Sequence, residues 1–132
     1  MTAFKDVVAF VVAAHGVGFF LWFQAAWLPA AQPSQAHWLF NAGVGVGDPI
    51  GRATGLLALV VAAGFLAAAW GIFVGSAWWE SVALATSAVS LVAIVIPWWT
   101  VVPALSAIGA AAVDLALIGF VVVPSWHDAL VT

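Results

Sequence analysis

The sequence contains no cysteine, which excludes disulfide bonds, thiolate catalysis and cysteine-ligated metal sites. Charged residues are also scarce, at 5% of the 132 residues, where a soluble domain averages about 25%. So few charges could not cover the surface of a soluble fold. With only two basic residues in the chain, there is no basic patch, and we do not expect binding to nucleic acid.

Long apolar runs fill most of the chain, because 67% of its residues are hydrophobic. A helix needs about 20 apolar residues to cross a bilayer, and lipid offers backbone groups no other partner. Such segments cover about residues 4–29, 51–74, 78–98 and 101–123. The sequence therefore predicts an all-α integral membrane protein of the cell membrane, a single multi-pass transmembrane domain over residues 1–132.

The connections between these segments predict how the helices are arranged. A polar loop spans residues 30–50, whereas the later connections are short and hold Gly75, Pro97 and Pro103. Short connections favour antiparallel neighbours, so we predict a four-helix bundle. Lys5 before an apolar run resembles a signal peptide, but the run is long for that role, and we expect a retained helix.

The orientation in the membrane is weakly encoded. Lys5 and Arg52 fall on opposite sides of the predicted bilayer, so the positive-inside rule is balanced. We expect both termini in the cytoplasm. The same balance permits dual topology, and a homodimer or a larger membrane complex is an open alternative.

Polar side chains near the middle of the bilayer are costly and point to a site. At about 1.5 Å per residue, His15 lies about 12 Å from Val7 and Asp114 about 15 Å from Pro124. Ser90 lies at a similar depth on the third helix. We predict a buried contact between His15 and Asp114, with Ser90 and either Ser87 or Thr86 nearby.

The chemistry of this pair leaves two readings open. A proton shared between His15 and Asp114 could serve acid–base catalysis, proton coupling or ligand recognition. Alternatively, the two side chains satisfy each other and hold the helices in register. On the same helix face as His15, Phe19 and Trp22 could line a pocket for an apolar ligand, with Ser87 and Ser90 as binding residues, or simply pack in the core.

Four further polar residues are predicted to be structural. Gln24 points away from His15 and is expected to bond Thr100 or a neighbouring subunit. Glu80 is expected to interact with the dipole at the start of the third helix. Asp48 and Arg52 are expected to form an ion pair at the cap of the second helix.

No pattern in the chain indicates a metal or a cofactor, and we predict neither. His37 and His127 fall outside the spans on opposite sides of the membrane, so they cannot form one metal site with His15. No HxxxH pair is present, which argues against a bis-histidine haem. The glycines at 43, 45 and 47 lack the Lys and Ser/Thr of a phosphate-binding loop.

The later helices contain a series of short motifs: Gly51-Arg52-Ala53-Thr54-Gly55-Leu56-Leu57, Ala62-Ala63-Gly64-Phe65-Leu66, Trp78-Trp79-Glu80, Ser87-Ala88-Val89-Ser90-Leu91 and Asp114-Leu115-Ala116-Leu117. In these motifs, which span about half of the chain, the protein resembles the DoxX-like small four-helix membrane proteins. The resemblance implies a role in quinone-linked thiosulfate oxidation or in redox-stress complexes. The chain is also similar in size and helix number to small multidrug resistance transporters, but His15 stands in the region where that family needs a glutamate.

Three functions follow, in order of preference. The first is a binding or accessory membrane protein without catalysis, favoured because no catalytic motif is present. The second is a membrane enzyme that acts on a quinone, lipid or isoprenoid, with His15 and Asp114 as its acid–base pair. The third is a proton-coupled transporter that works as an antiparallel dimer.

Overall fold

A computed structural model describes residues 3–28, 47–95 and 104–131, and every regular element among them is a helix. The helices are α1 (Ala3–Trp27), α2 (Pro49–Val74), α3 (Trp79–Val95), α4 (Ala104–Val122) and α5 (Pro124–Val131). The predicted all-α fold class is confirmed. The first four helices match the four apolar segments, while most of the predicted loop over residues 30–50 lies outside the described residues.

The short helix α5 is an addition to the predicted architecture. The fourth segment does end before Pro124, as expected, but Pro124 then begins a new helix of eight residues. Proline suits the first position of a helix, because that position needs no backbone N–H donor. The described chain thus has five helices where the sequence predicted four.

The turn between α2 and α3 is tight and is set by Gly75. This glycine has a φ of 73°. That left-handed backbone conformation is sterically unfavourable for residues with a Cβ atom, whereas glycine adopts it at little cost. Its N–H donates to the carbonyl of Ile72 at 3.2 Å, and the N–H of Ser76 donates to the carbonyl of Gly71 at 3.0 Å. These two bonds close α2 and reverse the chain, so α3 packs back along α2.

Each helix packs against the next one in the chain, and α1 also contacts α4 and α5. Small residues let the helices approach closely. A Cβ at Gly16 on α1 would lie 3.0 Å from the carbonyl oxygen of Ala62 and 3.0 Å from Cβ of Phe65, both on α2. Likewise, Gly64 on α2 faces Thr86 on α3. These contacts bring the buried faces of the helices together.

Two helices, α1 and α2, are long and apolar enough to cross a membrane. The helix α3 and the apolar part of α4, Ser106–Val122, are shorter. Large apolar side chains also lie on the outer surface, among them Phe10, Leu21 and Val60, which are 73%, 62% and 66% exposed. Large apolar side chains are therefore widespread on the described surface.

Candidate functional site

The carboxylate of Asp114 on α4 lies at the centre of the candidate site. It is fully buried, and both of its oxygens have a partner. Nε2 of His15 on α1 lies 3.0 Å from Oδ1, and the hydroxyl of Ser90 on α3 donates to Oδ2 at 2.6 Å. The predicted contact between His15 and Asp114 is present. We call these three residues the polar triad.

The helices position the triad through the period of the helix and through close packing. Gly16 lets α1 lie directly against α2. The ring of the preceding residue, His15, contacts Phe65 on α2 and reaches Asp114 on α4. On α3, the buried residues Ala83, Ser87, Ser90 and Ile94 recur every three to four positions and form one inner face. Asp114 and Leu117 give α4 a matching buried face. The triad therefore joins α1, α3 and α4.

Aromatic rings enclose His15 on the side of α2. The centroid of Phe65 lies 4.6 Å from that of the His15 ring, and the centroid of Phe19 lies 5.3 Å from it. Phe19 stacks with Trp22 at 6.2 Å, and both are buried. Phe19 and Trp22 are therefore part of the core. This agrees with the interpretation in which they pack in the core, rather than with the one in which they line a pocket for an apolar ligand.

The chemistry open to the triad is limited by which of its side chains are hydrogen-bonded to each other. In a Ser-His-Asp catalytic triad the hydroxyl is bonded to the histidine, which removes its proton. Here Ser90 donates to Asp114 instead, so His15 is not placed to activate Ser90 as a nucleophile. The arrangement is a buried carboxylate held by two donors, which is a stable way to satisfy a buried polar group.

Two polar atoms, one beside the triad and one within it, have no hydrogen-bond partner in the described part of the chain. The Ser87 hydroxyl is buried, one turn from Ser90, and has no hydrogen-bond partner there. With Nε2 of His15 donating to the carboxylate, Nδ1 is left as an acceptor, and no described residue bonds to it. These atoms could take up a further polar group without breaking the triad.

Access to the triad is narrow. The His15 side chain is 9% exposed, and that of Asp114 is not exposed at all. Among the described residues, one surface groove of about 320 Å³ lies beside Gly16 and another of about 360 Å³ lies beside Arg52. Neither groove is lined by His15 or Asp114. An enzyme site would need a pocket of about 300 Å³ or more that reaches the reacting groups.

The remaining predicted residues lie at the ends of helices. Asp48 is the N-cap of α2 without a side-chain capping bond, and its carbonyl accepts the N–H of Arg52 at 2.8 Å. The guanidinium of Arg52 lies over the ring of Trp27, 5.6 Å from its centroid. Gln24 is half-buried near the end of α1, and its expected partner Thr100 lies outside the described residues.

A second polar contact joins α5 to the start of α3. Glu80 lies in the first turn of α3, as expected, and its Oε1 is 2.9 Å from Nε2 of His127. The ring of His127 stacks with that of Trp79 at 6.5 Å. The hydrogen bond to Glu80 raises the pKa of His127 above its ordinary value, while partial burial lowers it and Asp128 adds a smaller increase.

This contact predicts a pH dependence for the docking of α5. Because the pKa of His127 is raised in the folded state, the contact stabilises the fold fully below the ordinary pKa of about 6.5. The stabilisation is lost as the pH rises through the raised value. We therefore expect the difference in melting temperature between the wild type and Glu80→Gln to be small and largest near about pH 6. Near about pH 9 it should fall to the part that does not depend on His127, the interaction of Glu80 with the dipole of α3.

The measurement is thermal unfolding in detergent across this pH range. Asp128→Asn is the matched control: its carboxylate lies 3.8 Å from Nδ1 of His127, so we expect a smaller change with the same sign. A difference between the wild type and Glu80→Gln that stays constant with pH would contradict a titrating contact.

No protein-family model, curated protein or solved structure matches this chain.

Sequence reasoning missed three features of the site region. Phe65, which encloses His15, was an ordinary apolar residue in the pattern, and no signal in the sequence distinguished it. The bond between His127 and Glu80 was missed because α5 was not predicted. The stacking of Arg52 on Trp27 was missed as well, although both residues were expected near the same end of the helices.

Proposed function

We propose that this chain is a multi-pass integral membrane protein in which α1, α2, α3 and α4 form a transmembrane four-helix bundle. The large exposed apolar side chains support this, since lipid is the solvent that tolerates them. The scarcity of charge supports it as well, because the acidic and basic residues of the described chain lie near helix ends, apart from the paired Asp114. The polar triad then lies near the middle of the bilayer.

Within the membrane, we assign the chain the role of a binding or accessory subunit without catalytic activity. The observation that carries this role is the complete pairing of buried Asp114 by His15 and Ser90 from two other helices. Such a network holds α1, α3 and α4 in register, because each donor would otherwise be unpaired in hydrocarbon. The two grooves do not reach it. The partner would be a membrane protein or an apolar molecule such as a quinone, lipid or isoprenoid.

A second candidate is a membrane enzyme that uses His15 and Asp114 for acid–base chemistry. One observation favours it: Nδ1 of His15 has no partner among the described residues, so it could accept a proton. The transporter reading requires a polar path through a dimer and has no comparable support within a single chain. The resemblance to DoxX-like proteins stays a prediction.

Membrane topology can be tested cleanly, because the chain has no cysteine of its own. Single cysteines would replace Val60 in the middle of α2, Ala77 in the turn before α3, Ser125 in α5 and Gln35 in the predicted loop. Each variant is treated with a membrane-impermeant maleimide in intact cells and in inside-out vesicles. We expect Ala77→Cys and Ser125→Cys to react from one side, and Gln35→Cys from the other.

The decisive position is Val60, which is exposed in the isolated chain. In a bilayer, lipid covers it, and we expect Val60→Cys to react only after SDS is added. If it reacted as fast as Ala77→Cys in the native sample, the membrane proposal would be wrong. If Gln35→Cys and Ala77→Cys each reacted about half from either side, the chain would have dual topology.

A further inference from the structure

The groove between the end of α1 and the start of α2 combines an exposed cation with an apolar floor. It encloses about 360 Å³ and is lined by Trp27, Gly47, Pro49, Arg52, Ala53 and Leu56. Apart from the guanidinium and the indole N–H, the side chains of this lining are apolar. Neither the polar triad nor the contact between α5 and α3 uses this groove.

Arg52 is held at the edge of the groove by Trp27. The indole N–H of Trp27 donates to the carbonyl of Arg52 at 3.1 Å, and the guanidinium lies above the indole ring. A tryptophan and an arginine at the end of apolar helices are the pair of side chains expected at the level of lipid headgroups. A guanidinium also binds phosphate oxygens with two parallel hydrogen bonds.

We propose that this groove binds an anionic phospholipid, with the phosphate on Arg52 and the first part of an acyl chain along Pro49, Ala53 and Leu56. The proposal rests on the proposed function, since it requires this end of the helices to lie at the membrane surface. The site selects a lipid with a net negative charge, because a zwitterionic headgroup carries an ammonium that Arg52 repels.

The lining of the groove argues for a lipid rather than for free phosphate. Arg52 is the cation of the lining, and Asp48, one turn before it, does not line the groove. A single guanidinium matches the single charge of a phosphodiester. The apolar floor of the groove adds contacts with the acyl chain that soluble phosphate cannot make.

The test compares two variants that each remove one positive charge. Arg52→Gln removes the proposed phosphate ligand, whereas Lys5→Gln removes the only other basic residue, which lies at the opposite end of α1 beside Gly75. Purified protein in a neutral detergent is titrated with phosphatidylglycerol or phosphatidylcholine, and bound lipid is measured by native mass spectrometry. Circular dichroism confirms that each variant is helical.

We expect the wild type to bind phosphatidylglycerol more tightly than phosphatidylcholine. Arg52→Gln should weaken the binding of phosphatidylglycerol by about fivefold, the effect of one basic side chain at an anionic lipid surface, while Lys5→Gln leaves it unchanged. If Arg52→Gln does not fold, Arg52→Lys serves instead, and it should keep the preference for phosphatidylglycerol with weaker binding.

Two outcomes would overturn the lipid site. Equal weakening by Lys5→Gln would mean that net charge alone attracts the lipid. Displacement of phosphatidylglycerol by an equal concentration of glycerol phosphate would mean that the groove binds soluble phosphates. Because the labelling of Val60→Cys is independent of Arg52, it shows separately whether the chain lies in the membrane.

Discussion

Replacing Asp114 with alanine should lower the free energy of unfolding by about 3 to 5 kcal/mol, the cost of breaking a buried polar pair. The substitution removes both acceptor oxygens of the triad. The Nε2–H of His15 and the hydroxyl of Ser90 would then be buried without a partner, since neither donates elsewhere among the described residues. Unfolding with SDS in a mild detergent, followed by far-ultraviolet circular dichroism, measures the difference.

Asp114→Asn is the matched control for this experiment. Its amide oxygen can accept one hydrogen bond, and its NH₂ group can donate to the hydroxyl of Ser90. We therefore expect Asn to keep most of the stability that Ala loses. If Asp114→Ala were as stable as the wild type or more stable, the carboxylate would not be holding the helices together. The acid–base reading would then be preferred, because functional sites often trade stability for activity.

Replacing Phe65 with alanine should cost about 3 kcal/mol. Among the described residues, Phe65 is the largest side chain that is fully buried, and its ring contacts those of His15 and Phe19. Its removal leaves a cavity beside the triad that the rigid helix contacts at Gly16 and Gly64 cannot easily close. The same SDS unfolding experiment measures the loss of unfolding free energy. The NMR signal of the His15 ring should broaden, because the ring loses its contact with Phe65.

The neighbouring residue supplies the control for Phe65. Leu66 lies on the same helix but is 45% exposed, so Leu66→Ala should change the stability by less than about 1 kcal/mol. Comparable losses for the two variants would show that the inner and outer faces of α2 are wrongly assigned. A small loss for Phe65→Ala alone would mean that the core beside His15 is loosely packed.

Part of the candidate site could be predicted because depth along a helix is a simple function of residue number. His15, Ser90 and Asp114 lie at similar distances from the ends of their helices, so a contact between them was a reasonable expectation. The rotation of each helix about its axis is not encoded in that way. The direction in which Ser90 points, and hence its bond to Asp114 rather than to His15, followed only from the packed structure.

The C-terminal helix α5 shows the same difference between what the sequence predicts locally and what depends on packing. Pro124 correctly predicted the end of α4, because proline cannot continue the hydrogen bonds of a helix. Proline also starts helices well, and whether the next residues form one depends on what they pack against. Here Trp126 packs on Phe120, and His127 meets Glu80, so α5 exists through contacts with distant residues.

The amino-acid sequence by itself determined the all-helical class and the approximate bounds of α1, α2, α3 and α4. It also determined the unusual apolar character of the chain, because composition and the spacing of Gly and Pro act locally. Only the tertiary structure decided which residues meet. The pairing of Asp114, the enclosure of His15 by Phe65 and the position of Arg52 over Trp27 depend on helix rotation and separation. Those are set by the fit of many side chains at once.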